Sequence, residues 1–286
     1  MLSNKVSEIM TTNLTAVPVS TSIAKVMEIM STEDVGRIII TAEEVPVGIF
    51  TEKDVLRRVV NADVDAENTP IKDVMTSPLR AVREETHIVE AFGKMYKGKY
   101  RHLLVRGRRG RIVGIVSMRR ILKLAVELGQ GMSDTRTLGS LTTAAAATID
   151  QTSSVHEAID LMIKTGVGSV VITTAGRPVG IFTERDVLKK IATKKINTKH
   201  TPVKEVMTAP LLTMSSTALV GGALAEMYRR DIRNMPVTAE SGELLGIVSM
   251  PDILQYARAF DIDEQVRRTW KEVAEYLDSE DQYTPG

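Results

Sequence analysis

The chain has 286 residues, enough for two ordinary domains, and its 43% hydrophobic and 26% charged residues are the balance of a soluble globular protein. Its 37 basic and 36 acidic residues give a net charge of +1, so no global field draws it to nucleic acid or an anionic membrane surface, and any anion binding must be local. The absence of cysteine excludes disulfides, thiolate metal sites and a cysteine nucleophile and fits a cytoplasmic location; Met1 to Met10 lacks a signal-peptide pattern, and no apolar run approaches the ~18 residues of a membrane span.

From the N-terminus, an extended stretch at Leu14 to Val17 leads into a helix with Ile23, Val26, Met27 and Met30 at i, i+3, i+4, i+7. Two β-rich runs follow, Ile38-Ile39-Ile40 and Val47 to Phe50, and a second helix begins near Thr51. This β-α-β-β-α order recurs. The helical stripe returns as Ile88, Ala91, Phe92 and Met95, as Val155, Ala158, Ile159 and Met162, and as Val220, Ala223, Leu224 and Met227, the last preceded by an extended stretch at Leu211 to Met214. The end of each unit is also repeated. Gly48-Ile49-Phe50-Thr51-Glu52 matches Gly180-Ile181-Phe182-Thr183-Glu184, while Gly114-Ile115-Val116-Ser117-Met118 matches Gly246-Ile247-Val248-Ser249-Met250. The four glycines are 66 residues apart (114 − 48, 180 − 114, 246 − 180), and the alternation makes a coarser repeat of 132 (180 − 48).

The functional unit is therefore a pair. Four units span residues 1–65, 66–130, 131–196 and 197–259, with Gly129 to Asp134 as the linker between pairs and a tail over 260–286. A unit of ~60 residues buries little surface alone, which is a physical reason to pair. In the tail, Asp261 to Leu277 reads as an amphipathic helix with Val266, Trp270, Val273, Ala274 and Leu277 on one stripe, for docking on its own units or on a partner. Residues 278–286 read as a polar, disordered end.

At three of the four strand-to-helix corners a hydroxyl stands three residues before a carboxylate: Thr51 and Asp54, Thr183 and Asp186, Ser249 and Asp252. Two readings stand side by side. The pattern is that of a capping box, and it also places a carboxylate, able to accept both hydrogen bonds of a ribose diol, beside helix N–H groups that attract phosphate. Copy two departs from it, with Arg120 where the acid is expected after Ser117; a guanidinium has no acceptor, so that cleft is expected to be empty or to lend Arg120 to a neighbour's phosphate.

The length, element order, corner signature and tandem pairing resemble the CBS domain family, whose units pair into Bateman modules. The resemblance covers about Val6 to Arg258. It implies an α/β (α+β) fold of four β-α-β-β-α units in two pseudo-twofold pairs, plus a C-terminal helix. It also implies clefts for AMP, ADP, ATP or S-adenosylmethionine, with Asp54, Asp186 and Asp252 on ribose and Thr51, Thr183 and Ser249 near phosphate. The layout is similar to that of the regulatory γ subunit of AMP-activated protein kinase, and this likeness implies that Arg37, Arg101, His102 and Arg119 converge on a phosphate beside the Asp54 cleft. In the second pair Arg185 is expected to cross to the Asp252 cleft, near Arg233 and Asn234; Pro251 offers no charge, and the Asp186 cleft is poorer in basic partners.

Nothing in the sequence pairs a nucleophile with a base, and His87, His102, His156 and His200 lack metal-like spacing. The expected function is that of a non-enzymatic, stand-alone sensor of adenine nucleotides, without metal, that modulates a partner; a ligand-free scaffold is the alternative. A homodimer or an unidentified protein partner is expected. Arg106-Gly107-Arg108-Arg109-Gly110-Arg111 reads as a charged hairpin loop rather than a nucleic-acid site, since no aromatics are interleaved.

Overall fold

A computed structural model of the chain describes residues 5–98, 100–121, 136–142, 145–250 and 252–253. The linker at 129–134 and the tail over 260–286 lie outside the described residues.

Four three-stranded sheets carry the architecture. The first is β1 (Ala16–Pro18), β2 (Arg37–Ala42) and β3 (Val45–Thr51), with β1 parallel to β2 and β3 antiparallel to it. The others repeat this pattern: β4 (Ala81–Arg83), β5 (His102–Arg106) and β6 (Ile112–Ser117); β7 (Thr148–Asp150), β8 (Ser169–Thr174) and β9 (Arg177–Thr183); β10 (Met214–Ser215), β11 (Asn234–Thr238) and β12 (Leu244–Ser249). A helix makes each parallel crossover, as the geometry of parallel strands requires. These helices are Ile23–Thr32, Ile88–Lys97, Val155–Thr165 and Val220–Arg229. Ser22 and Ser154 cap two of them through their hydroxyls, and Gly166 at φ 74 ends the third in the left-handed turn that suits glycine. The predicted helical stripes are buried, except that Phe92 is only partly so. The first strands are shorter than expected: β1 starts at Ala16 rather than Leu14, and β10 covers only the end of Leu211 to Met214. The second helices of units 1 and 3 are one α-turn each, Glu52–Asp54 and Glu184–Asp186, continued as π-helix over Val55–Val60 and Val187–Ala192.

A short helical turn precedes each unit, and it packs on the neighbour in the pair. Val6 and Ile9, at the head of unit 1, belong to the core of unit 2, while Ile71 and Val74, at the head of unit 2, belong to the core of unit 1. Leu138 and Val203 exchange likewise between units 4 and 3. Backbone pairs fix the exchange: Thr11 bridges Ile115, Thr76 bridges Ile49, and Thr208 bridges Ile181. The repeated glycine is explained by it. A Cβ on Gly48 would lie 2.2 Å from the sulfur of Met75, and on Gly114 2.7 Å from that of Met10. On Gly180 it would lie 2.5 Å from that of Met207. Each of these strand glycines is the seat for a methionine offered by the neighbouring unit.

The units close into a ring within one chain. One continuous core joins units 1 and 3, with Ile23, Phe50, Leu56, Ile159, Phe182 and Leu188, and a second joins units 2 and 4, with Leu103, Val116, Leu224 and Val248. Ile39, Leu104 and Ile115 form a third, smaller core between the sheets of units 1 and 2.

Candidate functional site

The corner residues come first. Asp54 is buried, and its Oδ2 accepts from the Thr51 amide at 2.9 Å and the Thr51 hydroxyl at 2.7 Å. Its Oδ1 accepts from the Thr76 hydroxyl at 3.1 Å and faces Arg58 Nε at 3.5 Å. Asp186 repeats the arrangement, with Thr183 on Oδ2 and with Thr208 at 3.0 Å and Lys190 at 2.6 Å on Oδ1. Asp252 is exposed and accepts from the Ser249 amide and hydroxyl at 2.7 and 2.6 Å. All three are capping-box carboxylates here. In copy two only the hydroxyl half survives: Ser117 Oγ accepts from the Arg120 amide at 3.1 Å, and the Arg120 side chain is exposed.

The predicted basic residues gather in one ionic cluster where all four units meet. Glu52, buried at the head of its helix in unit 1, accepts from Arg185 Nε of unit 3 at 3.4 Å and from Arg233 Nη1 of unit 4. Glu184, its equivalent in unit 3, accepts from Arg101 Nη2 of unit 2 at 2.9 Å. Asp231 of unit 4 holds Arg185 at 2.6 Å and is also paired with Arg119 of unit 2. Arg37 Nη1 stands 3.4 Å from His102 Nε2, and among the described residues no carboxylate lies within ion-pair distance of Arg37. Asn234 starts β11 beside Arg233 but makes no side-chain bond among those described.

One glycine, Gly36, makes room for a carboxylate, while its equivalent Gly168 leaves ordinary contact distance. A Cβ on Gly36 would sit 3.2 Å from both Glu52 Oε1 and Arg233 Nη2, and one on Gly168 would sit 3.6 Å from Glu184 Oε1. The surplus of guanidinium charge leaves a mark. Burial, and then Arg37, Arg101 and Arg233, push the His102 imidazole well below its usual range, so it is neutral at pH 7. Burial and the neighbouring Arg233 also lower Arg37, and burial with Arg233 and Arg185 lowers Arg119; both remain charged.

Between this cluster and Asp54 lies a cavity of about 90 Å³. Its walls are Ile49, Thr76, Leu79, Tyr100, His102 and Leu104, with Arg80 stacked over the Tyr100 ring at 4.9 Å. Thr76 thus touches Asp54 on one side and the cavity on the other, and His102 joins the cavity to the arginines. A larger open groove beside Arg83, Glu90 and Arg106 lies apart from all of these residues.

The family model described as the CBS domain matches four segments, residues 6–61, 71–127, 138–193 and 203–259. The chain belongs to the CBS domain family. Two curated relatives are the Arabidopsis thaliana CBS domain-containing protein CBSCBSPB1, 26% identical over 85% of this chain, and the uncharacterized protein MJ1404 of Methanocaldococcus jannaschii, 27% identical over 90%. The chain spans only 52% and 62% of their lengths. Among solved structures, protein MJ1225 of M. jannaschii, described as a candidate archaeal homologue of g-AMPK, superposes with a TM-score of 0.75. It is 17% identical, and the match covers 88% of this chain and 99% of that one, which establishes a common fold.

Seen as CBS units, the two kinds of corner differ in purpose. Glu52 and Glu184 enter the central cluster, while Met118 and Met250 at the same positions enter the core of units 2 and 4. Sequence reasoning missed Glu52, Glu184, Asp231 and Thr76. The signal available for the glutamates was the alternation of Thr-Glu with Ser-Met from one CBS copy to the next. The CBS pairs also differ from each other: at the 132-residue offset Arg37 becomes Ser169 and His102 becomes Asn234 (37 + 132, 102 + 132). No group of three or more His, Cys, Asp or Glu among the described residues is placed to hold a metal ion. His156 does face Asp160, at 3.5 Å, a surface pair one helical turn apart that sequence reasoning overlooked. No helix of the described residues is long and apolar enough to cross a membrane.

Proposed function

We propose that the protein is a non-catalytic regulatory sensor that takes an adenine nucleotide into the cleft between units 1 and 2 and passes the event to a protein partner, or to a second copy of itself. The observation that carries this reading is the surplus of guanidinium groups at the centre, with neutral His102 lining the cavity, Arg37 against His102, and no carboxylate among the described residues on Arg37. Planar guanidinium forks match phosphate oxygens. The cavity beside Tyr100, Leu79 and Ile49 is lined mainly by apolar groups, as a base requires, and Thr76 links its wall to Asp54, the carboxylate expected on a ribose. The second pair offers Ser169 and Asn234 in place of Arg37 and His102, so its affinity is lower.

The ligand-free scaffold has one observation in its favour, the saturation of Asp54 and Asp186 by their own chain. Calorimetric titration of protein freed of copurified ligand separates the two. The sensor gives a dominant event with AMP, ADP or ATP, weakened by on the order of ten-fold or more in Arg37→Ala, the loss of one charge-assisted hydrogen bond. No heat with any of these or with S-adenosylmethionine leaves the scaffold standing.

A further inference from the structure

We propose that Glu52 and Glu184 fix the charge of the ligand: with both in place the centre accepts one phosphate monoester and disfavours a di- or triphosphate. This rests on the reading of the arginine cluster as a phosphate site. The count is short. Arg37, Arg101, Arg119, Arg185 and Arg233 supply five positive charges, and Glu52, Glu184 and Asp231 supply three negative ones, a surplus of 5 − 3 = +2. The adjoining Lys189 and Asp34 pair with each other and add nothing to the balance. A phosphate monoester carries about −1.5 to −2 at neutral pH and matches the surplus. Longer phosphate chains exceed it, and their outer oxygens must lie against carboxylates that are themselves fixed.

The glutamates are fixed because both are buried and bonded across the diagonals of the ring, Glu52 to Arg233 and Glu184 to Arg101, two bonds related by the same 132-residue offset. Each takes up guanidinium N–H groups that a second phosphate would otherwise use, Arg185 Nε and Arg233 Nη1 on Glu52 and Arg101 Nη2 on Glu184. Neither can swing into water without breaking these bonds, and Glu52 is further backed closely by Gly36. Their number is set by the alternation along the chain, since the equivalent positions in units 2 and 4 are Met118 and Met250.

The test compares AMP with ATP, and inorganic phosphate with pyrophosphate and tripolyphosphate, by calorimetry without divalent cations. The wild-type protein is expected to bind AMP at least ten-fold tighter than ATP, with the inorganic series falling in the same order. Glu184→Gln and Glu52→Gln each raise the surplus by one charge and are expected to move the monophosphate-to-triphosphate ratio by on the order of ten-fold toward the longer chain. A wild-type protein that binds ATP as well as AMP, or a ratio unmoved in a folded variant, overturns the proposal, as does failure of every anion to bind. Should neither variant fold, the wild-type order decides. If inorganic phosphate keeps the predicted order while AMP binds no tighter than phosphate, the charge rule stands and the nucleotide reading falls.

Discussion

Asp54 and Asp252 share a sequence motif but not a situation. Asp54 is buried with four donors on its two oxygens, and Asp252 is exposed with two on one. Asp54→Ala is therefore expected to destabilise the ligand-free protein by about 1–2 kcal/mol, as loss of a cap does, and Asp252→Ala by half that or less; equal losses in urea unfolding would contradict this account of the corners. Glu52→Ala strands Arg233 and leaves Arg185 on Asp231 alone, and is expected to cost about 3 kcal/mol, the low end for a broken buried pair because Arg185 keeps a partner and both arginines keep some contact with water. His102 gives a pH signature. Its folded-state value is lowered, so the unfolded chain binds more protons and stability falls as the pH drops below the unfolded value of about 6.5. Melting points between pH 7.5 and 5.5 are expected to decline in the wild type and to decline less in His102→Gln. Of the arginines of the centre, Arg37, Arg101 and Arg233 were conspicuous as basic residues at or before a strand start, while the gathering of Arg37, Arg101 and Arg119 was implied by the family resemblance. Glu52 was not. A carboxylate in a first helical turn reads as solvated, and its partners stand 133 and 181 residues away.

The elements themselves were read well where periodicity is strong. The crossover helices bury the apolar positions chosen from their i, i+3, i+4, i+7 spacing, and the Arg106 to Arg111 segment is a hairpin loop with Gly110 at φ 74. The exchanged turns were invisible. Val6 to Ile9 and Ile71 to Asp73 are too short for a period to show, and what makes them regular is the neighbour they pack on. Nor does alternation of apolar residues announce the π-helical continuation at Val55–Val60. The glycine that marked the repeat was seen before its reason, which is the methionine it admits. Gly114→Ala is expected to cost about 1–3 kcal/mol, because the added methyl meets Met10 and also the Thr11 carbonyl at 3.0 Å, and Met10→Ala in the same chain is expected to recover only part of it. Full recovery in thermal melts would mean that the backbone contact does not matter.

At the scale of the whole molecule, each pair is tied by its exchanged turns, and the two pairs meet through the long cores joining unit 1 to unit 3 and unit 2 to unit 4. Sequence alone left open whether such a ring forms within one chain, because apolar stripes do not name their partners. The two halves, produced as separate polypeptides, are expected to associate on mixing, since each presents the face that the other covers; size-exclusion chromatography reads the outcome. The alternation of glutamate and methionine has a wider consequence. Four identical units around the same axis would have to repeat a single choice at this corner, giving either a crowd of carboxylates or a greasy hub without any. Joining the copies covalently lifts that constraint: symmetry can be broken one position at a time, and the middle of the ring becomes a place where charge is adjusted in single steps rather than in fours.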